Sequence, residues 1–227
     1  MSDHSWSPRS PGEALARFVG VPFDGQTYRN LAYLLLAFPL GIAYFTVVTT
    51  GLSTGIGLLV TFAGVPVVLL TLLVTLGIGS FERRLADWLL DVDVDAAPAE
   101  VELAFGSVEE ALGTTKRILT APTTWTSLVL VGLKFVYGVV VFTALVTAFA
   151  LSATLISMPV FYDAPGVTYT LGPYVVDTLR EAIAGAGLGV LLALVSLHVL
   201  NGVARFGGFL TDALLGGAAR TAEGADA

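Results

Sequence analysis

The chain contains no cysteine, and only 13% of its residues are charged. Without cysteine there can be no disulfide, no thiolate metal site and no cysteine nucleophile. Soluble domains carry about 25% charged residues, so the scarcity of charge already argues for a membrane environment. Basic residues are the rarer sign, 11 against 18 acidic, giving a net charge of −7. That balance argues against a nucleic-acid partner and would suit a salt-loving organism. Catalytic signatures are missing too: there is no HExxH, no P-loop, no GxSxG and no dinucleotide fingerprint. No catalytic residue, metal site or cofactor is therefore expected. Residues 1–25 are polar, so nothing before Arg29 resembles the apolar core of a secretory signal.

What the chain does have is hydrocarbon. It is 55% hydrophobic with a mean hydropathy of +0.83. From Leu31 to Gly79 no residue is charged, and a break of small and polar residues at Thr49–Gly57 divides the stretch. Each half is about 20 residues or longer, enough to cross about 30 Å of hydrocarbon at 1.5 Å per residue. The expected fold is an all-α integral membrane protein with four transmembrane helices in two tandem hairpins. The spans lie at about 30–50, 55–79, 126–157 and 180–204. Residues 1–28 form an N-terminal segment, 29–220 the membrane domain and 221–227 a disordered tail.

Each hairpin is expected to be followed by an amphipathic helix at the membrane surface. In FERRLADWLLD, Phe81, Leu85, Trp88 and Leu89 form the apolar face, and Glu82, Arg83, Arg84, Asp87 and Asp91 the polar one. Phe206 and Leu210 play the corresponding part in the segment after the fourth span. Between these lie an acidic linker, DVDVDAAPAE, and a surface helix opened by a Ser107–Glu110 capping box. Glu13–Val21 reads as a short interfacial helix. Pro39 and Pro66 should kink the first and second spans, with Thr61 or Thr71 able to satisfy freed backbone groups. In the connection at 158–179, Val160–Tyr162 and Val167–Leu171 are strand-like around Asp-Ala-Pro-Gly, so a small hairpin is expected there. A second capping box, Thr178 with Glu181, opens the fourth span.

Arg83, Arg84, Lys116 and Arg117 all fall in the 80–125 connection, which the positive-inside rule places in the cytoplasm. Both termini then lie in the cytoplasm, and the 158–179 connection lies outside the cell membrane. An internal repeat is also visible. Phe38, Gly41, Phe45 and Thr46 recur as Phe135, Gly138, Phe142 and Thr143. With both halves in the same orientation, this predicts a parallel repeat about an axis along the membrane normal, with those residues in contact at its centre.

Candidate sites are few. Lys134 is the one charge well inside a span, so it is either a functional intramembrane cation or a side chain that snorkels to the surface. His198 and Asn201 form a polar pair near the end of the fourth span. It reads as pH-sensitive or ligand-binding, or else as an interhelical hydrogen bond. Tyr162, Asp163, Tyr169, Tyr174, Asp177 and Arg180 could line a small pocket for a ligand or cation, or simply cap the helix ends. The small-xxx-small pairs Gly51/Gly55 and Gly185/Gly189 suit helix packing.

The stretch YRNLAYLLLAFPLGIAYFTVVTTGLSTGIGLLVTFAGVPVVLL, followed by ERRLAD, resembles a sensor domain found at the N-terminus of many actinobacterial and haloarchaeal histidine kinases. Pro122-Thr-Thr-Trp125, Pro159 and the VDTL of Val176–Leu179 agree with it, and the resemblance spans about 18–215. It implies a four-helix membrane module that feeds a signalling output. After Ala219 too few residues remain for a phosphotransfer helix pair or an ATP-binding domain. The reading is therefore a non-enzymatic sensor or regulatory module. It would act on the bilayer and on a separate signalling partner or a second copy of itself. A small transporter or channel component, or a structural oligomerising protein, are the alternatives.

Overall fold

The computed structural model describes residues 11–61, 63–90 and 116–223. Helix α1 spans Pro11–Gly20 and begins with a proline, whose missing N–H costs nothing at a first position. A 3₁₀ turn at Val21–Phe23 leads to α2, Gly25–Gly57. The Asp24 carboxylate opens α2 by accepting the Gln26 N–H at 3.0 Å. After a second 3₁₀ turn, Leu58–Thr61, come α3 at Gly64–Leu90 and α4 at Pro122–Phe161. Two short strands follow, β1 at Tyr169–Leu171 and β2 at Tyr174–Val176, and α5 runs over Leu179–Glu223. Four segments, Gly25–Thr61, Gly64–Leu90, Pro122–Phe161 and Leu179–Leu215, are long and apolar enough to cross a bilayer. The chain is a multi-pass membrane protein.

Several boundaries differ from expectation. The second span begins at Gly64 rather than 55, so Pro66 sits in its first turn and not at its middle. Thr71 returns its hydroxyl to the Val67 carbonyl at 2.8 Å, one turn back. Residues 81–90 and 205–219 are not separate surface helices; they continue α3 and α5 without a break. Nothing in either stretch interrupts the i→i−4 ladder, and a change from apolar to charged side chains does not end a helix. The acidic linker, the Ser107–Glu110 box and the start of the surface helix it opens lie outside the described residues.

A small hairpin forms: its first strand lies within the expected Val167–Leu171, but its partner is Tyr174–Val176 and not Val160–Tyr162. Val160 and Phe161 remain helical, because the Tyr162 N–H still reaches the Met158 carbonyl at 2.8 Å beyond Pro159. Pairing is antiparallel, with Tyr169 opposite Val176 and Leu171 opposite Tyr174. The turn is Gly172-Pro173. Gly172 takes a φ of +64°, which Gly alone adopts freely, and Pro173 supplies the negative φ that follows. The expected capping box is present at the start of α5. The Glu181 N–H reaches Thr178 Oγ1 at 3.4 Å, and the Thr178 N–H reaches Glu181 Oε2 at 3.2 Å.

The chain divides into two compact units. One contains α1, the first turn of α2 and residues 143–202. Its core is Leu155, Met158, Val176 and Ala182, with Tyr162, Tyr169 and Leu192 packed against it. Gly185 lies against Met158 and Gly189 against Leu155, so this small-residue pair serves packing as expected.

The other unit contains residues 29–142 and the chain from 203 onward. Here α2 and α3 form an antiparallel hairpin in which Gly51 meets Thr71 and Gly55 meets Val68. The repeated residues of α2 and α4 pair reciprocally. Phe38 stacks on Phe142 with ring centroids 4.4 Å apart, and Phe45 stacks on Phe135 at 4.6 Å. Gly41 faces the backbone of Lys134 and Phe135, and Gly138 faces that of Ala37 and Phe38. Thr46 and Thr143 are exposed.

This pairing corrects the expected symmetry. Higher positions on α2 meet lower positions on α4, so the two helices run in opposite directions where they cross. Correspondingly, α4 runs alongside α3 in the same direction, with Gly79 beside Ser127 and Glu82 beside Lys134. The local two-fold lies across the helices and not along them. The repeat could not distinguish these cases, because either axis brings the same set of residues together.

A side chain at Gly41 has no room: its Cβ would sit 2.8 Å from the Lys134 carbonyl oxygen, which is backbone and cannot step aside. Gly41→Ala should therefore cost about 1–3 kcal/mol of stability by overpacking. Gly132→Ala on α4 opens onto free space and should be neutral or stabilising by up to about 1 kcal/mol through helix propensity. Thermal unfolding of both variants in detergent checks the contrast.

Candidate functional site: a buried ion pair among tyrosines

Helix α4 carries Lys134 into the interior of the second unit, where only 2% of it is exposed. The side chain does not snorkel. Its Nζ lies 2.5 Å from Glu82 Oε2, and Glu82 itself is 1% exposed. The same ammonium donates to the Tyr33 hydroxyl at 2.5 Å and sits 4.6 Å from the centroid of that ring. Three helices therefore meet at one charge: α2 through Tyr33, α3 through Glu82 and α4 through Lys134.

Two further tyrosines enclose the pair. Tyr137, one turn along α4 from Lys134, donates to the Val203 carbonyl at 2.8 Å and so ties α4 to α5. The Tyr33 and Tyr137 rings both press on Gly207, where any Cβ would collide with them. The buried Tyr44 hydroxyl is near enough to interact with the Glu82 carboxylate, yet completes no hydrogen bond of ordinary distance and angle. An apolar cluster of Tyr44, Val48 and Val131, backed by Ile78 and Leu128, closes one side.

The energetics decide what such a site can do. Taking either charge alone into a medium of low dielectric costs several kcal/mol, and the attraction between the two offsets much of that only while they stay together. The arrangement is a charge-neutral clamp: stable when closed and strongly penalised when one partner is removed. Chemically it can hold or exchange a proton among a carboxylate, an ammonium and a phenol, or respond to an ion that competes for either charge.

Glu82 is the residue that sequence reasoning misplaced, since it was assigned to the polar, solvent-facing side of an interfacial helix. The buried face of α3 is instead Glu82, Leu85, Ala86 and Leu89, while Phe81 and Trp88 are exposed at 48% and 70%. The expected apolar face is thus split: Leu85 and Leu89 turn inward beside Glu82, while Phe81 and Trp88 turn outward beside Arg84. A signal was available: a lone lysine in a span requires an acid, and Glu82 lies on a helical face with buried leucines.

The other expected residues are placed as follows. Arg83 lines a narrow cleft with Ser80, Thr123 and Ser127, Arg84 is exposed, Phe206 is exposed, and Leu210 is half-buried. Arg29 donates to the Trp88 carbonyl and fastens the start of α2 to the end of α3. His198 and Asn201 do not pair with each other. The His198 ring stacks on Phe18 at 4.7 Å, with Nε2 3.2 Å from the Phe18 carbonyl oxygen. Asn201 donates to the buried Thr27 hydroxyl at 2.9 Å. Both therefore moor the N-terminal segment to α5.

The tyrosines and charges around the hairpin serve separate purposes. Tyr162 and Tyr169 pack on the apolar core of their unit, while Asp163 and Arg180 are exposed. Tyr174 donates its hydroxyl to Glu181, which raises its phenol above the ordinary tyrosine range, and the Asp177 N–H reaches the same carboxylate at 3.2 Å. This group acts as a cap on α5.

Removing one member of the ion pair should be far worse than removing both. Glu82→Leu or Lys134→Met alone is expected to cost about 3–5 kcal/mol, whereas the double variant should recover most of that loss. A double-mutant cycle on thermal unfolding measures the coupling, and additive losses would exclude a clamp.

Among known proteins, no curated sequence and no solved structure matches this chain. A family profile does. It covers residues 33–215 and so takes in Tyr33, Glu82 and Lys134, the last three apolar segments and the first from Tyr33 onward. The chain belongs to the family described as "Putative sensor".

Proposed function

We propose that the chain is a non-enzymatic membrane sensor or regulatory module that transmits a signal to a separate partner in the cytoplasm or membrane. The buried Glu82–Lys134 pair carries this reading, because it ties three helices at a single point inside a bundle surrounded by hydrocarbon. Ionisable residues inside membrane bundles are expensive, and they occur where a protein has a use for the charge. A stimulus that favours the open clamp over the closed one shifts the population between two helix arrangements by its differential affinity for them. The end of α3 conveys the result. It carries Glu82 inward while presenting Phe81, Arg84 and Trp88 outward one turn away. The basic residues Arg83 and Arg84 at that end are of the kind the positive-inside rule expects on the cytoplasmic side.

The same pair would also suit a transporter or channel component, in which it would gate an ion path. The two readings separate experimentally. A photo-crosslinking amino acid at position 81 or 88, used in native membranes, should capture a partner protein or a second copy. Capture should change several-fold when Glu82→Leu and Lys134→Met are combined in a chain that still folds. Ion flux in proteoliposomes containing the purified protein alone, abolished by Lys134→Met, would instead establish the transporter reading.

A further inference from the structure

The first unit contains a hydroxyl group that its surroundings do not explain. Along α4, Thr154 returns its hydroxyl to the Ala150 carbonyl at 2.8 Å, and Ser157 returns its own to Thr154 at 2.9 Å. This is how Ser and Thr satisfy themselves in an apolar helix. Ser152, on the same helix and only 4% exposed, makes no hydrogen bond at all. A buried hydroxyl without a partner is costly in water-soluble proteins, and hydrocarbon supplies no water to relieve it.

Ser152 borders a cavity of about 40 Å³ between α4 and α5. Ala148, Phe149 and Ser152 line it from α4; Ala193, Ser196 and Leu197 line it from α5. The i, i+1, i+4 spacing on one helix and i, i+3, i+4 on the other make these the facing sides of a helical pair. Four of the six residues are Ala or Ser, too small to fill the gap. Phe149 is 46% exposed, so the cavity adjoins the outer surface of the helix pair. This helical surface faces lipid, and an occupant would enter from the membrane phase.

The chemistry of the lining selects among occupants. A single water occupies about 10–15 Å³, so one water held by the two hydroxyls would leave most of this cavity of about 40 Å³ empty among apolar side chains. A purely hydrocarbon group would fill the space and leave Ser152 unpaired. A molecule with one hydrogen-bonding atom on an apolar body satisfies both conditions. We propose that this cavity binds the polar end of a membrane-dissolved alcohol or ketone, with Ser152 as its hydrogen-bond partner and the hydrocarbon remainder lying along the α4–α5 groove in the lipid.

The test uses the full chain reconstituted in phosphatidylcholine nanodiscs, with an eight-carbon alcohol bearing a diazirine beside its hydroxyl as the probe. After photolysis, mass spectrometry should locate the label on peptides containing Phe149 or Leu197, and excess 1-octanol should compete it away. Ser152→Ala removes the hydroxyl while leaving the cavity open, and should reduce labelling by about three- to tenfold, the effect of one hydrogen bond. The matched diazirine hydrocarbon should label this site weakly and equally in both proteins. Ala193→Leu, which fills the cavity, should abolish the alcohol label; Ser152→Ala keeps the test valid if that variant does not fold. Labelling spread evenly over the lipid face of α4, or left unchanged by Ser152→Ala, would overturn the proposal.

Discussion

Lys134 cannot lie where it does without Glu82, and much of the second unit follows from that requirement. The ammonium is stable in the interior only while a carboxylate is beside it. The carboxylate comes from α3, so α3 must turn its Glu82 face inward and expose Phe81 and Trp88. The third ligand of the charge is a phenol on α2, and Tyr33 together with Tyr137 then leaves space for no more than a glycine at position 207 of α5. One electrostatic demand thus sets the rotation of α3, the register of α4 and the identity of a residue on α5. Apolar packing fills the remainder but could be satisfied in many other ways, since lipid is as good a neighbour for leucine as another helix is.

How much of this could be read beforehand depended on which force was involved. Length and apolarity were enough for the four helices, because the bilayer sets a minimum span and the runs 31–48 and 126–157 exceed or approach it. Close backbone approach leaves a local signature as well: Phe38, Gly41 and Phe45 stood out through their counterparts Phe135, Gly138 and Phe142, and these residues do meet. The Thr178–Glu181 cap was legible because its partners are three residues apart. Harder to read was the joining of distant residues of unlike type. Glu82 and Lys134 have 51 residues between them, and the charged neighbours of Glu82 in FERRLAD give it the look of a solvent-facing group. The direction of α4 was equally hidden, since a matching set of residues carries no arrow.

The two units handle polarity differently. In the second, the buried Glu82 and Lys134 charges answer each other, while the Tyr44 hydroxyl beside them completes no hydrogen bond. In the first, the mooring contacts of His198 and Asn201 tie the N-terminal segment to α5, while Ser152 on α4 is left unanswered. A structure that satisfies Thr154 and Ser157 from its own backbone, yet not Ser152, leaves one polar position open beside the cavity between α4 and α5.

The backbone contacts that Gly41 and Gly138 each make with the facing helix have a mechanical meaning. Helices that already touch through their backbones cannot move closer, and the stacked rings on either side, Phe38 on Phe142 and Phe45 on Phe135, resist lateral slip. The freedom that remains is rotation about the crossing point, which makes it a fulcrum. Lys134 lies directly at that fulcrum, where its carbonyl meets Gly41 while its side chain holds Glu82. A small change in the side-chain clamp therefore acts where the lever arm is shortest, and the displacement it produces grows toward the ends of both helices.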